Sequence, residues 1–131
     1  MKKSGILNRH LAGALAMLGH TDTVVVCDAG LPIAVGPQLM VVDLAFRAGV
    51  PPFEEVLSGL LDELEIEGAM AADEIEEHNP ETHALLKGHF DTLHLVPHEE
   101  FKARARHARL VVRTGEVTPY ANVMLSCGVP F

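Results

Sequence analysis

The chain has no tryptophan and one tyrosine, and only 5% of its residues are aromatic. A core built without large rings must draw on Val, Leu, Ala and Ile, which is the composition of an α/β protein. There are two cysteines, Cys27 and Cys127. Each ends an apolar run where a small thiol packs well, so both are expected to be free. No stretch approaches the roughly 18 apolar residues of a membrane span, and the first apolar stretch is broken at once by Asn8, Arg9 and His10. With no secretory signal after Lys2 and Lys3, the expected compartment is the reducing cytoplasm, without membrane attachment. Bases are also scarce, 10 against 18 acids, for a net charge of −8. That field repels phosphate backbones, so nucleic acid is not an expected partner. Neither a Gly-rich phosphate loop nor a nucleophile elbow occurs.

What is present is a chain of 131 residues, 48% of them apolar. That length suits one domain burying roughly two-thirds of the surface its unfolded form exposes, which needs no disulfide or metal. The apolar content argues against disorder.

Asn8 is placed to cap a helix whose apolar positions Leu11, Ala14, Leu15 and Leu18 recur at helical spacing, with Gly19 as a left-handed stop. Thr23 to Cys27 is a β-branched run without alternation, as in a strand covered on both faces. Leu39 to Asp43 reads as a second strand. Pro52 opens a helix with Phe53, Val56, Leu57, Leu60, Leu61 and Leu64 in one stripe and Glu54, Glu55, Asp62 and Glu63 turned away. Ile66 to Ala72 is the third strand, and Asn79-Pro80 starts a helix to about Gly88. Thr92 to Val96, Ala108 to Val112 and Val123 to Cys127 complete the strands, with a short helix from Pro97 between the first two. The alternation predicts a single α/β domain over residues 1–131: a three-layer α/β/α sandwich with a mostly parallel sheet of about six strands.

Polar chemistry concentrates in Arg113-Thr-Gly-Glu-Val-Thr-Pro-Tyr-Ala-Asn122, between two apolar strands. Such a segment suits a small polar ligand, although Thr and Asn also favour turns that merely cap themselves. Ligands of open α/β sheets bind beyond the carboxyl ends of the strands. Asp28, His98 and the Arg113 to Asn122 segment all belong to that rim. His20 precedes the first strand and so starts at the opposite rim, about 17 Å away. Either a loop folds back or a second subunit completes the site.

Each residue also has an ordinary explanation: Asp28 as a turn cap, His20 as a helix C-cap, His98 as a solvated first-turn residue. The eight histidines do not read as a metal site, because the one i, i+4 pair, His94 and His98, straddles Pro97 and cannot share a helical face. Lys102, Arg104, Arg106, His107 and Arg109 lie near Glu99 and Glu100 and read as a solvated helix face.

The segments Gly5-Ile-Leu-Asn8, Leu18-Gly-His-Thr-Asp22, Asp28-Ala-Gly-Leu-Pro32, His98-Glu-Glu-Phe-Lys102, Arg113-Thr-Gly-Glu116 and Thr118-Pro-Tyr-Ala-Asn122 resemble the D-ribose pyranase family, in order and register. The sister L-fucose mutarotases carry a His where Gly30 stands and Tyr-Gly-Asn in place of Tyr120-Ala-Asn122. The resemblance is therefore to the ribose branch. It implies a cytoplasmic homo-oligomer, a ring-like decamer, that interconverts the pyranose and furanose forms of D-ribose ahead of ribokinase, with no cofactor and no metal. It also implies a catalytic role for His20 as proton donor, and sugar contacts from Asp28, His98, Tyr120, Ala121 and Asn122. The rival readings are a protein that binds a sugar without turning it over, and a structural ring whose polar rim joins subunits.

Overall fold

A computed structural model describes residues 1–131. Asn8 begins the first element as its composition suggests. Its side-chain oxygen accepts the N–H groups of His10 and Leu11 at 3.0 and 2.9 Å, and α1 runs Arg9–Ala16 with Leu11, Ala14 and Leu15 buried. The helix stop differs from expectation. The chain leaves α1 through Met17 in a right-handed conformation, and the positive φ, 69°, falls on Thr21 rather than Gly19. The physical reason is a side-chain clasp: the Gly19 N–H donates to the Asp22 carboxylate at 2.8 Å, so a hydrogen bond closes the turn in place of a glycine.

The remaining elements are β1 (Thr23–Cys27), β2 (Met40–Asp43), α2 (Phe53–Leu61), β3 (Ile66–Ala72), α3 (Ile75–His78), α4 (Pro80–His89), β4 (Leu93–Val96), α5 (His98–Ala105), β5 (Leu110–Arg113) and β6 (Val123–Cys127). Asn79 caps α4 by accepting the Thr82 N–H at 3.2 Å. The short α3 was not legible as a helix, because one turn of Ile-Glu-Glu-His shows no period. The fifth strand lies slightly later than its apolar run, so Arg113 is the last strand residue and not the first of a loop.

The six strands form one sheet in the order β2-β5-β1-β6-β3-β4. Five run parallel and β6 runs against both of its neighbours. The expected mostly parallel sheet is therefore present with an antiparallel strand at its middle. The cause is the connection before β6: residues 114–122 hold no helix, so the chain cannot cross over and re-enters from the rim where β5 ended.

The two faces are unequally covered. On one face, α1 to α4 contribute Leu11, Phe53, Leu57, Leu60, Ile75 and Leu86 to the larger cluster with Val24, Val26 and Leu125 of the sheet. On the other, α5 contributes Phe101 and Ala105 against Val25, Val111 and Met124. The sandwich has the three expected layers, one of them thin.

The rim bearing the strand ends is drawn tight where Gly115 passes the 46–51 turn. Its N–H donates to the Pro51 carbonyl at 2.9 Å and its carbonyl accepts the Gly49 N–H at 2.6 Å. A Cβ at Gly115 would overlap the main-chain atoms of Val50 and the Arg47 carbonyl, whereas one at Gly13 in α1 would meet nothing within 4 Å. Backbone cannot step aside as a side chain can. Gly115→Ala is thus expected to destabilise the fold by about 1–3 kcal/mol, while Gly13→Ala, at an open helical position, stabilises it by up to about 1 kcal/mol. Urea unfolding of the two variants beside the parent checks both signs.

Candidate functional site

At the carboxyl end of β1 the chain presents Asp28, and the start of β6 brings Asn122 against it. The Asn122 Oδ1 accepts the Asp28 N–H at 2.9 Å, and its Nδ2 donates to Asp28 Oδ2 at 3.0 Å. The other carboxylate oxygen, Oδ1, accepts the Gly30 N–H at 2.9 Å. Each oxygen keeps a lone pair free for a ligand hydroxyl. Asn122 is 1% exposed, and both ends of its amide are engaged by Asp28. Its role in this geometry is to hold Asp28 in one orientation.

Tyr120, two residues earlier, has φ of 56°, a left-handed conformation rare for a bulky side chain. This places its ring edge-on to His98, with centroids 5.1 Å apart at 89°, and near His78 at 5.4 Å. His98 opens α5, and its backbone N–H is accepted by both carboxylate oxygens of Glu74, at 3.1 and 3.0 Å. Burial works against the Glu74 charge, but the backbone N–H groups of Glu74 itself and His98, together with the Asp73 side chain, outweigh it and hold the carboxyl below its ordinary value. The His98 Nδ1 is buried without a hydrogen-bond partner. A buried N–H left unpaired is costly, so the neutral ring favours the tautomer with its proton on Nε2, which makes that nitrogen the donor.

Three further groups brace this rim. Arg113 donates through Nη1 to both oxygens of Asp43, at 3.2 and 3.0 Å, and through Nε and Nη2 to the Ala29 carbonyl, at 3.2 and 3.0 Å. It thereby ties the end of β2 to the Asp28 turn. Thr114, wholly buried, donates its hydroxyl to the Cys27 carbonyl at 2.8 Å. Glu116 accepts the Phe53 N–H at 3.0 Å and the Thr118 hydroxyl at 3.1 Å. Burial raises the Glu116 carboxyl, yet the N–H groups of Phe53, Thr118 and Val117 and the Thr118 hydroxyl prevail and lower it. Both cysteines are free and buried. Burial first, and the Asp28 charge second, push the Cys27 thiol up to about 12, so it stays protonated and inert.

Asp28, His98, Tyr120 and Asn122 therefore line one hollow of about 330 Å³ at the strand-end rim, with Leu31 and Pro32 as its apolar wall. Ala121 is fully buried in the core and does not line this hollow. His20 is not brought to this hollow. It stands at the other end of β1, about 17 Å along the strand, half-exposed, with Nε2 3.1 Å from Glu67 Oε2. The loop does not fold back. No group of three His, Cys, Asp or Glu side chains is placed to hold a metal ion. Lys102 and Arg104 pair with Glu99 and Glu100, both at 2.6 Å, as a solvated helix face would.

Glu74 and Glu67 were not singled out in the sequence. Glu74 follows β3 as Asp28 follows β1, so its position at a strand end was the available signal. Glu67 carried none, since its direction depends on a strand irregularity.

Two outcomes are expected. Asn122→Ala frees the Asp28 carboxylate from a charge-assisted hydrogen bond of the kind worth about 1.5–3 kcal/mol, so affinity for a sugar held by Asp28 should fall at least tenfold in calorimetric titration. For Glu116, a folded-state value below the unfolded one means stability present at neutral pH and lost as pH falls below the usual carboxylate value of about 4.3. The stability gap between the parent and Glu116→Gln should accordingly be full at pH 7 and close progressively in unfolding curves taken towards pH 3.

Comparison with known proteins agrees with this architecture. D-ribose pyranase 2 of Streptomyces griseus is 69% identical over 131 residues, covering all of both chains, and D-ribose pyranase 1 of Rubrobacter xylanophilus is 65% identical over the same span. The solved structure of Bacillus subtilis RbsD complexed with D-ribose matches with a TM-score of 0.94 at 45% identity, again covering all of both chains. The structure of FucU from Bifidobacterium longum shares the fold, with a TM-score of 0.79 at 23% identity over 95% of this chain and 97% of that one. Residues 1–130 match the RbsD / FucU transport protein family, and the chain belongs to that family.

Proposed function

We propose that this protein is a sugar mutarotase that interconverts the pyranose and furanose forms of D-ribose, supplying the form that ribokinase phosphorylates. The observation that carries the reading is the clamped Asp28 beside His98 and Tyr120, in a chain that superposes over its whole length on an RbsD solved with D-ribose.

The chemistry asks little of the protein beyond proton management. In ribopyranose the ring oxygen joins C1 to C5. A base removes the proton of the C1 hydroxyl, the C1–O5 bond breaks, and an acid protonates O5; the open chain carries an aldehyde at C1 and a hydroxyl at C5. Rotation then brings the C4 hydroxyl to C1, and closure with the reverse proton movements forms the furanose. Substrate and product are isomers, so no electrons are exchanged with a second reactant. An imidazole suits both proton steps because its ordinary pKa of about 6.5 lies near neutrality.

His20 is the assigned acid/base. Asp28 fixes the sugar through the free lone pairs of its clamped carboxylate, His98 offers Nε2–H, and Tyr120, Ala121 and Asn122 shape and orient the remaining contacts. His20 and Asp28 lie at opposite ends of β1, so one chain cannot present both to one sugar. The reading therefore includes a site completed by a second copy of the chain, within a cytoplasmic homo-oligomer, a decamer by resemblance. Exposed apolar side chains such as Met17, Val41 and Phe46, at 61%, 47% and 78% exposure, are available for burial between copies.

Saturation-transfer NMR on D-ribose, with and without the protein, tests the activity. The parent should accelerate exchange between pyranose and furanose signals. His20→Ala should lose about a hundredfold to ten-thousandfold, the span supplied by acid/base assistance, while still binding ribose. Binding with no acceleration by the parent would leave a sugar-binding protein instead. Sharing of the site is checked by mixing dissociated His20→Ala and Asn122→Ala chains, at a ribose concentration low enough that each is inactive alone, and reassembling them: some sites then receive both native residues and exchange should return, whereas silent mixed assemblies would refute sharing.

A further inference from the structure

We infer that Glu67 is the positioning residue for His20: it holds the imidazole through Nε2 and leaves Nδ1 as the nitrogen that exchanges a proton with the sugar. The inference rests on the assignment of His20 as the acid/base and adds to it a named partner and a named atom.

Two local irregularities converge on this pair. The first is in the turn bearing His20, where Thr21 adopts a φ of 69°. A β-branched residue in the left-handed region is strained, and such strain persists only where the surroundings over-determine it. Here they do: the Gly19 N–H is held by Asp22 at 2.8 Å, the Thr21 N–H donates to the Cys127 carbonyl at 2.9 Å, and the Cys127 N–H donates to the Asp22 carbonyl at 2.9 Å. The second irregularity is in β3. Ile66 pairs with Cys127 and Gly68 with Ser126, so two steps along β3 match one step along β6. Glu67 is the extra residue of that bulge, and bulges re-aim the side chain they carry. The result is Glu67 Oε2 at 3.1 Å from His20 Nε2.

The tautomer follows from donor and acceptor capacity. An ionised carboxylate only accepts, so the nitrogen facing it bears the proton, and in the neutral ring the lone pair is on Nδ1. Arg104, which lines a surface hollow with Glu67 and His94, is taken by Glu100 at 2.6 Å, and the ion pair that Glu67 makes is the one with His20. The simpler explanation is a stabilising surface ion pair. With side chains 53% and 49% exposed, such a pair contributes little to folding, which leaves the strained turn and the bulge without a purpose in stability.

The test uses the assembled full-length protein with Glu67→Ala, Glu67→Gln and His20→Ala, measuring D-ribose exchange by NMR at saturating sugar, ribose affinity by calorimetry, and thermal unfolding. Glu67→Ala should slow exchange about tenfold, part of the larger acid/base contribution, with ribose affinity and unfolding midpoint unchanged. Glu67→Gln, whose amide oxygen still accepts from Nε2, should recover most of the rate, and it remains informative if the alanine variant fails to assemble. Parent-like exchange in Glu67→Ala alongside an inactive His20→Ala would overturn the positioning role alone. Active His20→Ala would overturn the assignment beneath it. A loss of ribose affinity equal to the loss of rate would also overturn the inference, by making Glu67 a sugar contact.

Discussion

The central strand β6 is paired on both sides, to β1 and to β3, and runs against both. The polar clusters at both ends of β1 depend on that insertion. Because β6 enters from the rim where the parallel strands end, its first turn sets Asn122 against Asp28. Because it leaves at the other rim, Cys127 receives the turn that carries His20, and its pairing with β3 produces the bulge that carries Glu67. One five-residue strand thus anchors the Asp28–Asn122 clamp at one end and the His20–Glu67 pair at the other.

The two ends are built differently. Around Asp28 the polar groups are tied to one another: Asn122 is closed to solvent and clamps the carboxylate, Arg113 spans Asp43 and the Ala29 carbonyl, and Glu116 anchors the same loop to the start of α2. Such a network gives a carboxylate one orientation, which recognition of a particular hydroxyl requires. Around His20 the groups are half-exposed, and order comes from the backbone instead.

Both ends also contain a non-glycine residue with positive φ, Thr21 beside His20 and Tyr120 beside Asn122. Strained residues concentrate where function over-determines geometry. The left-handed turn at Tyr120 swings its ring across His98, while the one at Thr21 reverses the chain directly into β1. Neither position carries the glycine that a turn chosen for stability would use.

Periodicity, caps and apolar runs were enough to determine the elements, since these are local properties: Asn8 and Asn79 cap the helices they precede, and the α2 stripe from Phe53 to Leu60 is buried as its spacing requires. The rim bearing Asp28, His98 and the Tyr120 to Asn122 segment was legible too, because strand ends can be counted along a parallel sheet. Three things were decided only in the tertiary structure. The direction of β6 depends on a missing crossover, which a stretch of Thr, Gly and Pro does not reveal by itself. The helix ended earlier, at Met17, and the left-handed residue fell on Thr21 rather than Gly19, where the Asp22 carboxylate closes the turn by holding the Gly19 N–H. The partnership of Glu67 with His20 rests on one extra residue in a ladder, and register is a relation between strands that neither strand's own residues contain.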